Sequence, residues 1–267
     1  MTTQQSLGTA LITGASTGIG SVYADRLARR GYDLILVARD GTKLDALAAS
    51  LQTASGRKVS TLKADLTVAA ELGVVEQRLQ DDASITMLVN NAGLGATSKL
   101  IDSAPEALDK LISLNVTALT RLTRAVAPAM VARGAGTIVN ISSIVALAPE
   151  LLNGVYGATK AYVLALTHSL NHELKDQGIR VQAVLPGAIG TPFWDRAGLP
   201  VEHLPSAIVM TPEDLVDAAL AGLDLGEVVT LPSLPDAAAW DKAEQARLAL
   251  GPNLSHTKPA ARYKVGA

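Results

Sequence analysis

The chain has 267 residues, 48% of them hydrophobic and 3% aromatic, with 23 Lys and Arg against 25 Asp and Glu. That length and apolar content suffice for one well-buried core. A net charge of -2 without clustered basic residues gives no electrostatic reason to propose nucleic acid or an anionic membrane as a partner, and the absence of Cys excludes disulfides, thiolate metal sites and cysteine nucleophiles.

The stretch "MTTQQSLGTALITG" has neither the charged region nor the apolar core of a signal peptide, and no apolar run approaches the ~20 residues of a membrane span. A cytoplasmic protein is expected. Short β-branched runs alternate with longer amphipathic segments. Strands are predicted at Thr9 to Thr13, Asp33 to Ala38, Lys58 to Lys63, Thr86 to Asn90, Thr137 to Ser142, Ile179 to Leu185 and Glu227 to Leu231. Helical patterns lie between them at about 19–30, 41–54, 68–80, 105–132, 155–176 and 211–223. Seven strands joined by six crossovers predict an α/β fold, a doubly wound parallel sheet with helices on both faces, in a single domain over residues 1–250. Two regions break the rhythm: residues 188–210, rich in Gly and Pro, and a polar tail at 251–267. A further helix is expected in "LPDAAAWDKAEQARLALGPN".

"TGASTGIG", Thr13 to Gly20, joins the first strand to the first helix. Its glycines at 14, 18 and 20 permit positive φ and close backbone approach, and the helix N-terminus offers unpaired N–H groups to a pyrophosphate. The second strand ends in Ala38 and Arg39 where a site for NAD carries an acid. Alanine leaves the ribose 2'-position free of a repelling charge and a guanidinium can pair with a 2'-phosphate, which points to NADP(H), with NAD(H) possible. The alternative is that Arg39 is solvated and Asp40 binds the ribose, although Asp40 also suits the N-cap of the next helix.

"YGATK" sets Tyr156 and Lys160 four residues apart, on one helix face. A tyrosine, with its ordinary pKa of ~10, is a poor base at neutral pH. A cation about 4 Å away at an effective dielectric of ~20 is worth roughly 4 kcal/mol, or about three pKa units before desolvation losses, so Lys160 is expected to lower the phenol pKa. His168 and His172 share the same helix at i, i+4, but no third metal ligand is evident, and no metal is expected. Phe193 and Trp194 follow in "TPFWDRAG"; they are read as an apolar lid over a substrate, or alternatively as the aromatic anchor of a loop.

Together, "TGASTGIG", "NNAG" (Asn90 to Gly93), "LNV" (Leu114 to Val116), "NISS", "YGATK" and "PGAIGT" (Pro186 to Thr191) occur in an order and spacing that resembles the short-chain dehydrogenase/reductase family, over about residues 7 to 232. The resemblance implies a Rossmann-like fold. It implies that Ser143, thirteen residues before Tyr156, holds the substrate oxygen, that Tyr156 transfers the proton, that Lys160 lowers its pKa and binds the nicotinamide ribose, and that Asn115 holds a water in a relay. The cofactor contacts it implies are Gly14, Ser16, Thr17, Gly18, Ile19, Gly20, Arg39, Asp65, Leu66, Asn91, Ala92, Gly93, Tyr156, Lys160, Pro186, Gly187, Ile189 and Thr191. Asp65 is also a candidate N-cap for the helix after it. Many NADP-preferring members carry a second basic residue in the glycine turn, where this chain has Ser16 and Thr17. The expected activity interconverts a small-molecule carbonyl and a secondary alcohol, in a homodimer or homotetramer. The alternatives are a reductase of carrier-bound 3-oxoacyl groups and a nucleotide-binding regulator that senses NADP(H) without turnover.

Overall fold

The computed structural model describes residues 7–265. The chain divides into two compact units, the first ending at Pro232 and the second starting at Ser233. The boundary expected from the sequence is at residue 250.

In the first unit the elements run β1 (Thr9–Thr13), α1 (Ile19–Arg30), β2 (Asp33–Ala38), α2 (Gly41–Ser55), β3 (Val59–Lys63), α3 (Ala69–Asp81), β4 (Ile85–Asn90), α4 (Pro105–Ile112), α5 (Leu119–Arg133), β5 (Gly136–Ile141), α6 (Gly154–Leu174), β6 (Ile179–Val184), β7 (Ala188–Ile189), α7 (Phe193–Ala197), β8 (Val209–Met210), α8 (Pro212–Asp224) and β9 (Val229–Thr230). Seven strands form one parallel sheet in the order β3-β2-β1-β4-β5-β6-β9. The order reverses between β1 and β4, so the carboxyl ends of these two strands open the crevice where such sheets bind ligands.

The sheet is buried on both faces, which is why its strands read as continuous apolar runs. Alternate residues part to opposite sides: Ala10 and Ile12 pack in a core with Tyr23, Leu27, Leu44 and Leu215, while Leu11 joins a second core with Leu72, Val75, Leu122 and Met130. A polar ladder crosses the second layer. Asn90 and Asn140, register partners on β4 and β5, are joined by a 2.9 Å amide hydrogen bond and extended by Thr123 and Thr167.

The Tyr23 hydroxyl, like the Asn90 Oδ1 of that ladder, is buried with no hydrogen-bond partner among the described residues. Burial raises its pKa. Removing an unsatisfied buried hydroxyl relieves a desolvation cost of about 1 kcal/mol, so Tyr23→Phe is expected to raise the unfolding midpoint by roughly 2–4 °C. A thermal melt checks this, and a lowered midpoint would mean the hydroxyl has a partner.

Two expectations need correction. The helix predicted through 105–132 is interrupted by a π-helical turn, Ser113–Ala118, between α4 and α5. The apolar pattern continues through that turn, so periodicity does not reveal it. Residues 188–210 are also more ordered than a Gly- and Pro-rich loop. β7 pairs in parallel with β8, Ala188 opposite Val209 and Ile189 opposite Met210, with α7 between them.

The second unit holds α9 (Ala237–Ala249), the additional helix expected from the sequence, with no buried residue, followed by exposed turns at Gly251–Asn253 and Ala261–Tyr263. No helix among the described residues is long and apolar enough to cross a membrane.

Candidate active site

A cleft of about 770 Å³ lies at the β1–β4 crevice. Its floor is the turn between β1 and α1. Gly14 and Gly18 have φ of 64° and 59°, and a Cβ at Gly20 would stand 2.3 Å from the Gly14 carbonyl oxygen. Only glycine fits there. The first turn of α1 has no side-chain cap and no acidic residue, so its N–H groups remain open to an anion. Asn91 clips this turn to β4: its amide donates to the carbonyls of Thr13 (2.9 Å) and Gly14 (3.1 Å), while its backbone N–H and that of Ala92 donate to the Thr13 hydroxyl. Thr191 closes on the same turn from the opposite side, since a Cβ at Gly18 would meet its methyl at 3.0 Å.

Ser16, Thr17, Gly18, Ile19, Ala38, Arg39, Asp65, Leu66, Asn91, Ala92, Gly93, Pro186, Gly187, Ile189 and Thr191 all line the cleft. Gly20 stands behind the turn. Asp40 caps α2, its carboxylate accepting from the Lys43 N–H at 3.1 Å. Asp65 does not cap α3, whose N-cap is Val68; its Oδ1 accepts from the backbone and hydroxyl of Thr67, and its Oδ2 faces Arg39 at 3.9 Å. Lys43, not among the residues expected from the sequence, also lines the cleft and pairs with Asp40 at 3.4 Å. Its place in the first turn of α2, directly after the Ala38–Arg39 strand end, is the signal that could have found it.

Tyr156, Ser143 and Lys160 meet at the cleft, and each is more than nine-tenths buried. Ser143 follows β5. Tyr156 and Lys160 stand in the first turns of α6, where Asn153 holds the helix start: its Oδ1 accepts from the N–H groups of Val155 (2.9 Å) and Tyr156 (3.1 Å), and its amide donates to Ser98 O. Asn153 therefore positions the tyrosine. Lys160 Nζ donates to Ile141 O at 2.9 Å and lies 5.8 Å from the centre of the Tyr156 ring.

Burial pushes the Tyr156 phenol up to about 12, with the Ser143 hydroxyl pulling it down. Burial also pushes Lys160 down to about 8. The direction at Tyr156 is opposite to the lowering expected from Lys160. Both groups lose solvent together, and desolvation of the phenolate dominates, while the Lys160 ammonium is turned to Ile141 O, 5.8 Å from the ring centre.

Asn115 sits on the π-helical turn and is buried. Its amide donates to Leu94 O (2.9 Å) and Thr159 Oγ1 (3.1 Å), and its Oδ1 accepts from Leu94 N. Its side chain thus fixes the strand-end loop against α6. Trp194 is buried with its indole N–H donating to Ile189 O at 2.9 Å, which anchors α7. Phe193 packs against Gly95, where a Cβ would meet its ring at 2.2 Å, and its ring centre is 6.0 Å from that of Tyr156. Among the described residues, no group of three or more His, Cys, Asp and Glu could hold a metal ion.

Comparison with known proteins agrees with this geometry. Residues 8–199 match the short chain dehydrogenase family model. A short-chain dehydrogenase from Sphingobium yanoikuyae, solved in complex with NADPH, is 53% identical, with a TM-score of 0.93 over 95% of this chain and 98% of that one. A bulky-bulky ketone specific alcohol dehydrogenase from Comamonas testosteroni is 46% identical, with a TM-score of 0.89 over 97% of this chain and 99% of that one. Human 17-beta-hydroxysteroid dehydrogenase type 3 is 36% identical over 186 residues, 68% of this chain and 59% of that protein. With the fold, the glycine turn and the buried Ser143–Tyr156–Lys160 cluster in place, the chain belongs to the short-chain dehydrogenase/reductase family of NAD(P)-binding oxidoreductases that act on CH–OH groups.

Proposed function

We propose that the protein is an NADPH-dependent reductase of ketones bearing two bulky substituents. The observation that carries the reading is the meeting of Ser143, Tyr156 and Lys160 in one cleft that contains both the open glycine turn and an apolar wall of Val145, Leu151, Leu152, Phe193, Leu204 and Ile208. The likeness to the Comamonas testosteroni ketone-specific enzyme supports the substrate class, and the NADPH complex of the Sphingobium yanoikuyae protein supports the cofactor.

The turn fits a dinucleotide. Its glycines leave no room for a side chain, and the uncapped α1 N-terminus suits a pyrophosphate. Ala38 presents no carboxylate to the ribose, and Arg39 and Lys43 supply cations for a 2'-phosphate. When bound, the cofactor supplies a hydride to the carbonyl carbon. The Ser143 hydroxyl holds the carbonyl oxygen, and the Tyr156 phenol gives that oxygen its proton. Burial favours this direction, because a phenol pushed up to about 12 carries its proton throughout the neutral range. Lys160 has N–H groups beyond the one bound to Ile141 O, and these are available to a ribose hydroxyl.

The test is NADPH oxidation followed by absorbance across a panel running from acetone to diaryl ketones. Turnover confined to small ketones would rule out the bulky class. In the same assay, Arg39→Ala is expected to reduce the preference for NADPH over NADH in kcat/KM about tenfold, the loss of one charge-assisted phosphate contact. An unchanged ratio would move the selectivity away from Arg39.

A further inference from the structure

Six charged residues line the cleft: Arg39, Asp40, Lys43, Asp65, Lys160 and Arg196. Arg39 faces Asp65, Lys43 pairs with Asp40, and the Lys160 ammonium is bound to Ile141 O. Arg196 alone among them has no hydrogen bond or ion pair within the described residues.

Its side chain is exposed, but the backbone that carries it is held. α7 is held on two sides, by the Trp194 indole on Ile189 O and by the Thr97 hydroxyl, which donates to Ala197 O at 2.7 Å. Arg196 is one helical turn from Phe193, whose ring lies 6.0 Å from that of Tyr156, so its Cβ is roughly 5–6 Å from that of Phe193. The wall around it, including Phe193, Leu204 and Ile208, offers no counter-charge. Thr191, at the start of the same segment, touches Gly18 of the glycine turn. An unpaired guanidinium at the rim of a cleft, carried on an anchored helix, suits a planar oxyanion that it can grip in two places.

We propose that Arg196 is an anion-binding residue of this cleft, closing on a phosphate or carboxylate brought in by a ligand. Two sources carry that chemistry: the cofactor pyrophosphate at the adjacent turn, and an acidic substituent on the ketone distal to its carbonyl. The second source rests on the ketone-reductase reading; the first does not.

The experiment compares wild type, Arg196→Gln and Arg196→Lys. Dissociation constants for NADPH and NADH are read from nicotinamide fluorescence, and KM is measured for para-benzoylbenzoate and its methyl ester, diaryl ketones with a bulky group on each side of the carbonyl. If the pyrophosphate is the anion, Arg196→Gln raises both cofactor dissociation constants about tenfold, equally for NADPH and NADH because both carry it. If a substrate acid is the anion, Arg196→Gln raises the acid-to-ester KM ratio about tenfold and leaves the cofactor constants together. In either case Arg196→Lys recovers most of the loss. The proposal is overturned if neither quantity moves by more than about twofold, or if Gln and Lys variants lose equally, which would reveal a role in shape alone. Should wild type reduce neither ketone, the reductase reading fails for these substrates, and the fluorescence constants alone decide the role of Arg196.

Discussion

Tyr156→Phe is expected to lower kcat for ketone reduction by about a thousandfold, within the range that loss of a general acid produces. The ring is 5% exposed and packed near Phe193, so phenylalanine fills the same space and the fold is retained. What disappears is the proton. With burial pushing the phenol up to about 12, wild-type Tyr156 holds its proton through the neutral range, ready to donate to the carbonyl oxygen. The Ser143 hydroxyl remains in the variant and still orients the carbonyl, but it has no acid to pass on. Single-turnover absorbance measurements check this at saturating NADPH, with a thermal melt confirming that NADPH still stabilises the variant. Residual turnover within tenfold of wild type would require a different proton donor, and the assignment of Tyr156 would fall.

Lys160→Met is expected to abolish useful turnover and to make the protein more stable at pH 7. Burial pushes the ammonium pKa down to about 8 from 10.5, so the folded state carries a penalty for that charge. Below pH 8 both states hold the proton and the penalty is fully present. Between about 8 and 10.5 the unfolded chain binds the proton that the folded chain releases, and stability therefore rises with pH through that window. The shift corresponds to about 3 kcal/mol as an upper figure, part of which the Ile141 carbonyl already offsets in the charged form. Methionine keeps the length of the stem without the charge, so its gain is expected at pH 7 and is expected to shrink towards pH 10. Wild-type kcat/KM is expected to fall as pH rises past about 8, since the free enzyme then loses the ammonium. Melting both proteins at pH 7 and pH 9.5 decides the stability claim. A Met variant less stable than wild type at pH 7 would mean that the ammonium has better partners than Ile141 O alone.

The features that sequence made legible are those with a one-dimensional signature. Strands buried on both faces read as apolar runs, the glycine turn reads as spacing, and Tyr156 and Lys160 read as i, i+4 neighbours; all three are where they were expected. The π-helical turn under Asn115 has no such signature, because one extra residue in a turn shifts the ladder without changing which residues are apolar. Asn153 is a cap that "NGVY" could have suggested, since Asn ahead of an apolar helix favours that position. The sign of the Tyr156 shift was not available from spacing. A distance between charges can be read from a helix, but the loss of water around both depends on β5, the Pro186 segment and Phe193, which are remote in sequence. The split between Phe193 and Trp194, one against Gly95 and the other hydrogen-bonded to Ile189, likewise needed the folded chain.

The pairing of Ala188 with Val209 and Ile189 with Met210 has an evolutionary consequence. It ties the two ends of the segment into a short ladder, so everything between them forms a closed loop with fixed entry and exit. Lengthening such a loop carries only a slowly growing entropic cost, about 0.6 kcal/mol per doubling. Length added after α7 leaves Thr191 at the glycine turn, Phe193 beside Tyr156 and the Thr97 bond to Ala197 O in place. The segment is thus an exchangeable cassette, in which mutation can search new substrate shapes while the redox machinery stays intact.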